Sequence, residues 1–179
     1  MRITLIGYRG CGKSTLAPLL AQRLRCDWVD ADVVIEQQAG CSIKEIFARE
    51  GEPGFRQREA AVLAELLQRD PVVIAAGGGA ILNPQTRQRM RAAGPVVWLQ
   101  APLDTLAARI AGDATTAQRR PNLAGGGTAE IAQLLAFREP LYREAATLAV
   151  DAGSRPPADL VDEILAQLPL PEVGGRTPG

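Results

Sequence analysis

A chain of 179 residues is the length of one domain with room for a full hydrophobic core. Its 46% apolar and 22% charged residues are ordinary for a globular protein, and equal numbers of basic and acidic side chains leave no global field favouring nucleic acid or a membrane surface. Histidine is absent, which restricts a general base near neutral pH to a carboxylate or, less readily, a cysteine.

The first apolar run, residues 2–6, predicts a strand. Directly behind it, Gly7-Tyr8-Arg9-Gly10-Cys11-Gly12-Lys13-Ser14 fits the spacing G-x-x-x-x-G-K-[ST]. Glycines at these positions let backbone N–H groups turn inward around a polyphosphate without Cβ clashes. The following helix carries Leu16, Leu19, Leu20 and Leu24 on one face and aims its positive dipole end at the same anion. Lys13 is placed to reach the β- and γ-phosphates, and Ser14 to offer its hydroxyl to Mg²⁺. Lys13 also stands out chemically, because only it and Lys44 are lysines against eighteen arginines. The motif lies between a strand and a helix, so it points to ATP with Mg²⁺. Pro18 inside that helix removes a donor and predicts a kink or a loosened first turn.

A second strand is expected at 27–29, leading into Asp30-Ala31-Asp32. In a parallel sheet this end lies on the same edge as the phosphate loop. The pair has two readings: caps for a helix beginning near Val33, or one carboxylate for the metal and one for a substrate hydroxyl. The phosphate loop and the lack of histidine favour the second. No aspartate ends the later strand, so Asp30 is the metal partner expected beside Ser14.

Ser42-Ile43-Lys44-Glu45 reads as a capping box opening a short helix that Gly51 terminates, with a longer helix over about 55–68. A strand at 72–76 runs into Gly77-Gly78-Gly79, at the sheet edge where such folds bind ligands. The glycines permit close backbone approach to a substrate, or simply a tight turn. Asn83-Pro84 starts a helix that Gly94 stops, and a strand follows at 96–99. Helices are expected at 103–111, 128–145 and 158–168, with the last strand at 147–150. The polar span 112–128, with Arg119 and Arg120 near its middle, reads as a mobile lid, and the Pro- and Gly-rich tail at 169–179 as a frayed end. Strands alternating with helices indicate an α/β fold with a parallel sheet. Arg56, Arg58, Arg120 and Arg138 are candidate anion contacts, Arg120 because a lid would carry it over a transferring phosphoryl group. Cys11, Cys26 and Cys41 match no metal-ligand spacing and read as reduced thiols of a cytosolic protein. No signal segment or membrane-length apolar stretch is evident, so the expected location is the cytoplasm.

Taken in order, these landmarks resemble the shikimate kinase family from Ile3 to about Leu168. They are the phosphate loop, Asp30-Ala31-Asp32 with Val33-Val34-Ile35-Glu36, Ser42-Ile43-Lys44-Glu45-Ile46-Phe47, Gly51-Glu52 with Phe55-Arg56, Gly77-Gly78-Gly79-Ala80, Arg120-Pro121-Asn122-Leu123 and Arg138-Glu139-Pro140-Leu141-Tyr142. The resemblance implies the nucleoside-monophosphate-kinase type of P-loop fold, three α/β/α layers around a five-stranded parallel sheet ordered 2-3-1-4-5. It implies one domain over 1–168, with a lid at about 112–127. It also implies ATP-dependent phosphorylation of the 3-hydroxyl of shikimate, on the route to aromatic amino acids. Catalytic roles pass to Lys13, Asp32 and Arg120, and ATP contacts to Gly10, Cys11, Gly12, Lys13, Ser14, Thr15, Arg109, Arg120 and Arg155. Asp32, Arg56, Gly78, Gly79 and Arg138 become substrate contacts, and Ser14 and Asp30 metal contacts. A bidentate guanidinium suits the substrate's planar carboxylate, for which Arg56 and Arg138 are the implied clamp. Cys11, Pro18 and Pro53-Gly54 depart from the family pattern, and the three glycines at 125–127 imply a longer, looser lid. The alternatives are a gluconate or nucleotide kinase of the same fold, or a non-catalytic ATP-binding module. A monomer is expected, since no further apolar stripe asks for a partner.

Overall fold

Near-continuous apolar runs belong to strands covered on both faces, and the three longest lie at the centre of one parallel sheet. The computed structural model describes residues 1–113 and 127–168. Strand β1 (Arg2–Ile6) is central, between β3 (Val72–Ala75) and β4 (Val96–Gln100), while β2 (Asp27–Asp30) and β5 (Leu148–Asp151) form the edges. All four pairings are parallel, with Ile3 opposite Val73, Asp30 opposite Ala75, and Leu5 opposite Val97. The order 2-3-1-4-5 is the one the resemblance implies. Chain direction across the sheet reverses beside β1, which opens a crevice at its carboxyl end, directly above the phosphate loop.

Alternate side chains of each central strand enter two different cores. Ile3, Leu5, Val73, Val97 and Leu99 pack with α1 (Lys13–Leu24), α5 (Leu103–Gly112) and α7 (Pro157–Gln167). Ile6, Val72, Ile74, Val96 and Trp98 face the other way. They meet α2 (Ala31–Ala39), α3 (Ile43–Leu66), α4 (Pro84–Ala93) and the end of α6 (Gly127–Ala145). Edge strand β2 is more open, and Trp28 on it is 44% exposed.

Helix starts and stops follow local chemistry. Ser42 and Glu45 form the reciprocal capping box at the start of α3. Gly51, at φ 68° and ψ −175°, breaks α3 into two arms, and Pro53 stands in the first turn of the second arm, where its missing N–H costs least. The second arm thus begins ahead of the expected position 55, and α2 begins at Ala31 rather than near Val33. Helix α1 runs through Pro18 as a single helix, and its first turn carries a 3₁₀-type bond from Thr15 N–H to the Gly12 carbonyl at 3.2 Å. A short 3₁₀ turn, Ala80–Leu82, follows the glycines unannounced by the sequence pattern. Arg87 of α4 ties this turn down by donating to the Ile81 carbonyl at 2.7 Å, while also pairing with Glu144 of α6. The expected lid at about 112–127, with Arg120, lies outside the described residues except for its ends, as does the tail at 169–179. Among the described residues no helix is long and apolar enough to cross a membrane.

Candidate active site

Residues 7–14 leave β1 with Gly7, Gly10 and Gly12 all at positive φ, 144°, 80° and 98°. At Gly7 a side chain is also excluded by space, because a Cβ would sit 2.6 Å from the Leu99 carbonyl oxygen and 2.8 Å from Cys11 Sγ. Cys11 is buried in the core beneath the loop. No side chain caps α1, so its first N–H groups are left for an anion in the crevice. Lys13 Nζ donates to the Gly7 and Tyr8 carbonyls at 2.9 and 3.1 Å and lies 3.5 Å from Cys11 Sγ. These bonds hold the ammonium over the mouth of its own loop.

Ser14 Oγ donates to Asp30 Oδ2 at 2.6 Å, while Asp30 Oδ1 accepts the Asp32 N–H at 3.0 Å as the cap of α2. The two readings of this aspartate therefore merge: one oxygen caps the helix and the other meets the phosphate-loop serine. A hydroxyl beside a carboxylate at the mouth of a phosphate loop fits Mg²⁺, which takes one or two protein oxygens and completes its shell with phosphate and water. Among the described residues no group of three or more acidic, histidine or cysteine side chains is arranged around one point. Asp32 stands in the first turn of α2 and faces the same cavity as Lys13 and Ser14.

That cavity, about 720 Å³, is large enough for a nucleotide and a small acceptor. Its wall includes Gly10, Cys11, Gly12, Lys13, Ser14 and Thr15 from the loop region. The same wall includes Asp30, Asp32, Gly78, Arg109 and Arg155. Arg56, Gly79 and Arg138 are not in this wall but adjoin it through Gly78. Arg138 is buried on α6, donates to the Gly78 carbonyl at 3.4 Å and lies over the Tyr8 ring at 5.6 Å. Arg56 is braced by Glu52 at 3.0 Å and by the buried Glu59 at 2.6 Å. Burial works against its charge, but Glu59 and Glu52 outweigh that and push the guanidinium pKa up. Its guanidinium lies flat on Gly79, where a Cβ would be 2.3 Å from Nη1. Arg58, the remaining arginine candidate on α3, instead pairs with Glu50 at 2.8 and 2.9 Å, away from the cavity.

A family model described as shikimate kinase matches residues 9–169. A shikimate kinase of Rhodopirellula baltica is 51% identical over 166 residues, 92% of this chain and 89% of that protein. One from Pseudomonas syringae pv. tomato is 46% identical, covering 93% and 95% respectively. The solved structure of a shikimate kinase from Acinetobacter baumannii in complex with shikimate superposes with a TM-score of 0.85 at 37% identity, covering 91% of this chain and 89% of that one. The chain belongs to the shikimate kinase family.

In this shikimate kinase the cavity wall also draws on α5 and the turn after β5. Arg109 of α5 donates to the carbonyls of Gly10, Ala152 and Gly153 at 3.3, 3.2 and 3.0 Å, stapling the phosphate loop to the turn after β5. Arg155 pairs with Glu163 and reaches the Asp159 carbonyl, both on α7. The sequence reading missed several residues of the site. Arg9 and Trp28 line the cavity; Trp28 reads as an ordinary buried strand residue until β2 is known to be an edge. Glu59 carried a usable signal, since an acid three residues after Arg56 falls on the same helix face. Tyr142, fully buried under Gly78, was visible only as the end of a motif.

Proposed function

We infer that this enzyme transfers the γ-phosphoryl group of ATP to the 3-hydroxyl of shikimate, giving shikimate 3-phosphate and ADP, a step of aromatic amino-acid biosynthesis. The observation that carries the assignment of residues is the meeting of Lys13, the Ser14–Asp30 pair, Asp32 and Gly78 around one cavity at the carboxyl edge of the sheet. The loop backbone of Gly10, Cys11 and Gly12, with Thr15 behind it, cradles the triphosphate, and Lys13 leaves its own carbonyls to neutralise the β- and γ-phosphates. Ser14 and Asp30 would hold Mg²⁺, which would supply charge neutralisation. Asp32 orients the acceptor hydroxyl in line and takes its proton as the bond to phosphorus forms. The transition state is loose, so alignment contributes more than proton removal. Arg56 and Arg138 clamp the substrate carboxylate from the side of Gly78 and Gly79, with Glu52 and Glu59 presetting the Arg56 fork. Arg109 and Arg155 border the adenine, and Arg120 closes over the phosphates with the lid.

Family membership sets aside the gluconate-kinase and non-catalytic readings. One domain over 1–168 carries the whole site and acts as a cytoplasmic monomer. Leu19, Trp28 and Phe137, the large apolar side chains exposed among the described residues, are scattered over different elements.

ADP release measured with shikimate, gluconate and nucleoside monophosphates tests the substrate, and turnover confined to shikimate is expected. In the same assay Asp32→Asn should retain ATP affinity and lose ~10²- to ~10⁴-fold in kcat. Wild-type turnover in that variant would remove Asp32 from the mechanism.

A further inference from the structure

Tyr142 follows Arg138 by one helical turn on α6, so the two side chains leave the same face. Its ring stacks on Trp98 of β4, with centroids 5.7 Å apart and planes at 20°, which fixes where the hydroxyl points. That hydroxyl donates to the Gly78 carbonyl at 2.6 Å, a shorter contact than the 3.4 Å from Arg138 to the same oxygen. Gly78 is also pressed on the phosphate loop: a Cβ there would lie 3.4 Å from the Arg9 nitrogen and 3.5 Å from the Gly7 oxygen. The tyrosine therefore grips a peptide that forms cavity wall on one side and touches the phosphate loop on the other. A trans peptide is planar, with C=O and N–H pointing in opposite directions. Holding the Gly78 carbonyl therefore sets the direction of the Gly79 N–H.

We propose that Tyr142 is a positioning residue for the acceptor: its bond to the Gly78 carbonyl sets the Gly78–Gly79 peptide against the phosphate loop, and so places the acceptor hydroxyl relative to the γ-phosphoryl group. This rests on the reading of Gly78 and Gly79 as acceptor contacts. Burial pushes the Tyr142 hydroxyl far above the ordinary tyrosine value, so it remains a neutral donor at working pH. Its contribution is geometric, and it takes no part in proton transfer.

Tyr142→Phe in the full chain keeps the stacked ring and deletes only the donor. Steady-state kinetics should show kcat/KM for shikimate lowered roughly 5- to 20-fold, with the KM for ATP within about twofold of wild type. An unchanged kcat/KM for shikimate, whatever happens to the melting temperature, makes Tyr142 a core-filling residue and overturns the proposal. Equal rises in both KM values overturn it as well. Should the variant not fold, 3-fluorotyrosine incorporated in a Tyr8→Phe background, which leaves Tyr142 as the one tyrosine, keeps the ring and alters only the strength of the donor: a changed kcat/KM for shikimate with the KM for ATP held supports the proposal, and unchanged kinetics overturn it. Failure of the underlying reading looks different: the Gly79 amide resonance of the wild-type enzyme would then not shift on adding shikimate.

Discussion

At Gly79 the need for glycine comes from a neighbouring side chain. The residue has φ −105° and ψ 1°, a conformation open to alanine, so substitution strains no backbone. What alanine lacks is room, since its Cβ would fall 2.3 Å from Nη1 and 2.6 Å from Cζ of Arg56. That guanidinium is pinned by Glu52 and Glu59, and it has to leave its seat for the methyl group to fit. Gly79→Ala should therefore fold with a melting temperature within a few degrees of wild type and raise the KM for shikimate about tenfold, the loss of ~1.4 kcal/mol of binding. The KM for ATP should hold. An unaltered shikimate KM would show that Arg56 can be displaced without consequence and would remove it from the carboxylate clamp.

Among the elements, α3 is the one whose local chemistry is most fully written in the chain. Glu45 Oε2 accepts from the Ser42 N–H at 2.8 Å and from the Ser42 hydroxyl at 2.7 Å, closing the capping box. Those bonds to Ser42 hold the Glu45 carboxyl below its ordinary value of 4.5. A folded-state pKa that is depressed contributes stability above the unfolded value, and that contribution is lost as pH falls through the folded one. Ser42→Ala should cost ~1 kcal/mol at about pH 7, read from the urea midpoint, and progressively less as pH falls through the lowered Glu45 value, where wild type loses the ionised partner. A difference independent of pH would mean that the carboxylate takes no part in the cap. The break in the same helix was legible too, because only a residue like Gly51 sits easily at φ 68°. The starting point of α2 was not, because Asp30 has a second partner, Ser14, that is distant in sequence.

For the molecule as a whole, the strand order brings the ends of β1, β2 and β3 to one edge, so that one ligand touches elements far apart in the chain. Mg·ADP bound only by the folded state should raise stability by ~2.7 kcal/mol at a hundred times its Kd, a rise of roughly 5–10 °C in melting temperature for a domain of this size. Chelating the metal should shrink that rise, and Lys13→Ala should nearly abolish it. An equal shift in Lys13→Ala would exclude the phosphate loop as the nucleotide site.

The chain by itself determined whatever depends on neighbours in sequence. The phosphate loop, the capping box, the glycine break and the alternation of strands with helices are short-range patterns, each with its own steric or hydrogen-bonding cause. Residue types at fixed spacing were also enough to suggest the family. Tertiary structure alone decided which long-range partners meet. Asp30 serves both a helix cap and Ser14, Arg56 lies on Gly79, Arg109 staples two loops together, and Tyr142 reaches Gly78 from sixty-four residues away. Such contacts depend on the sheet order and on which face of each helix is buried, and both are fixed by packing across the entire domain.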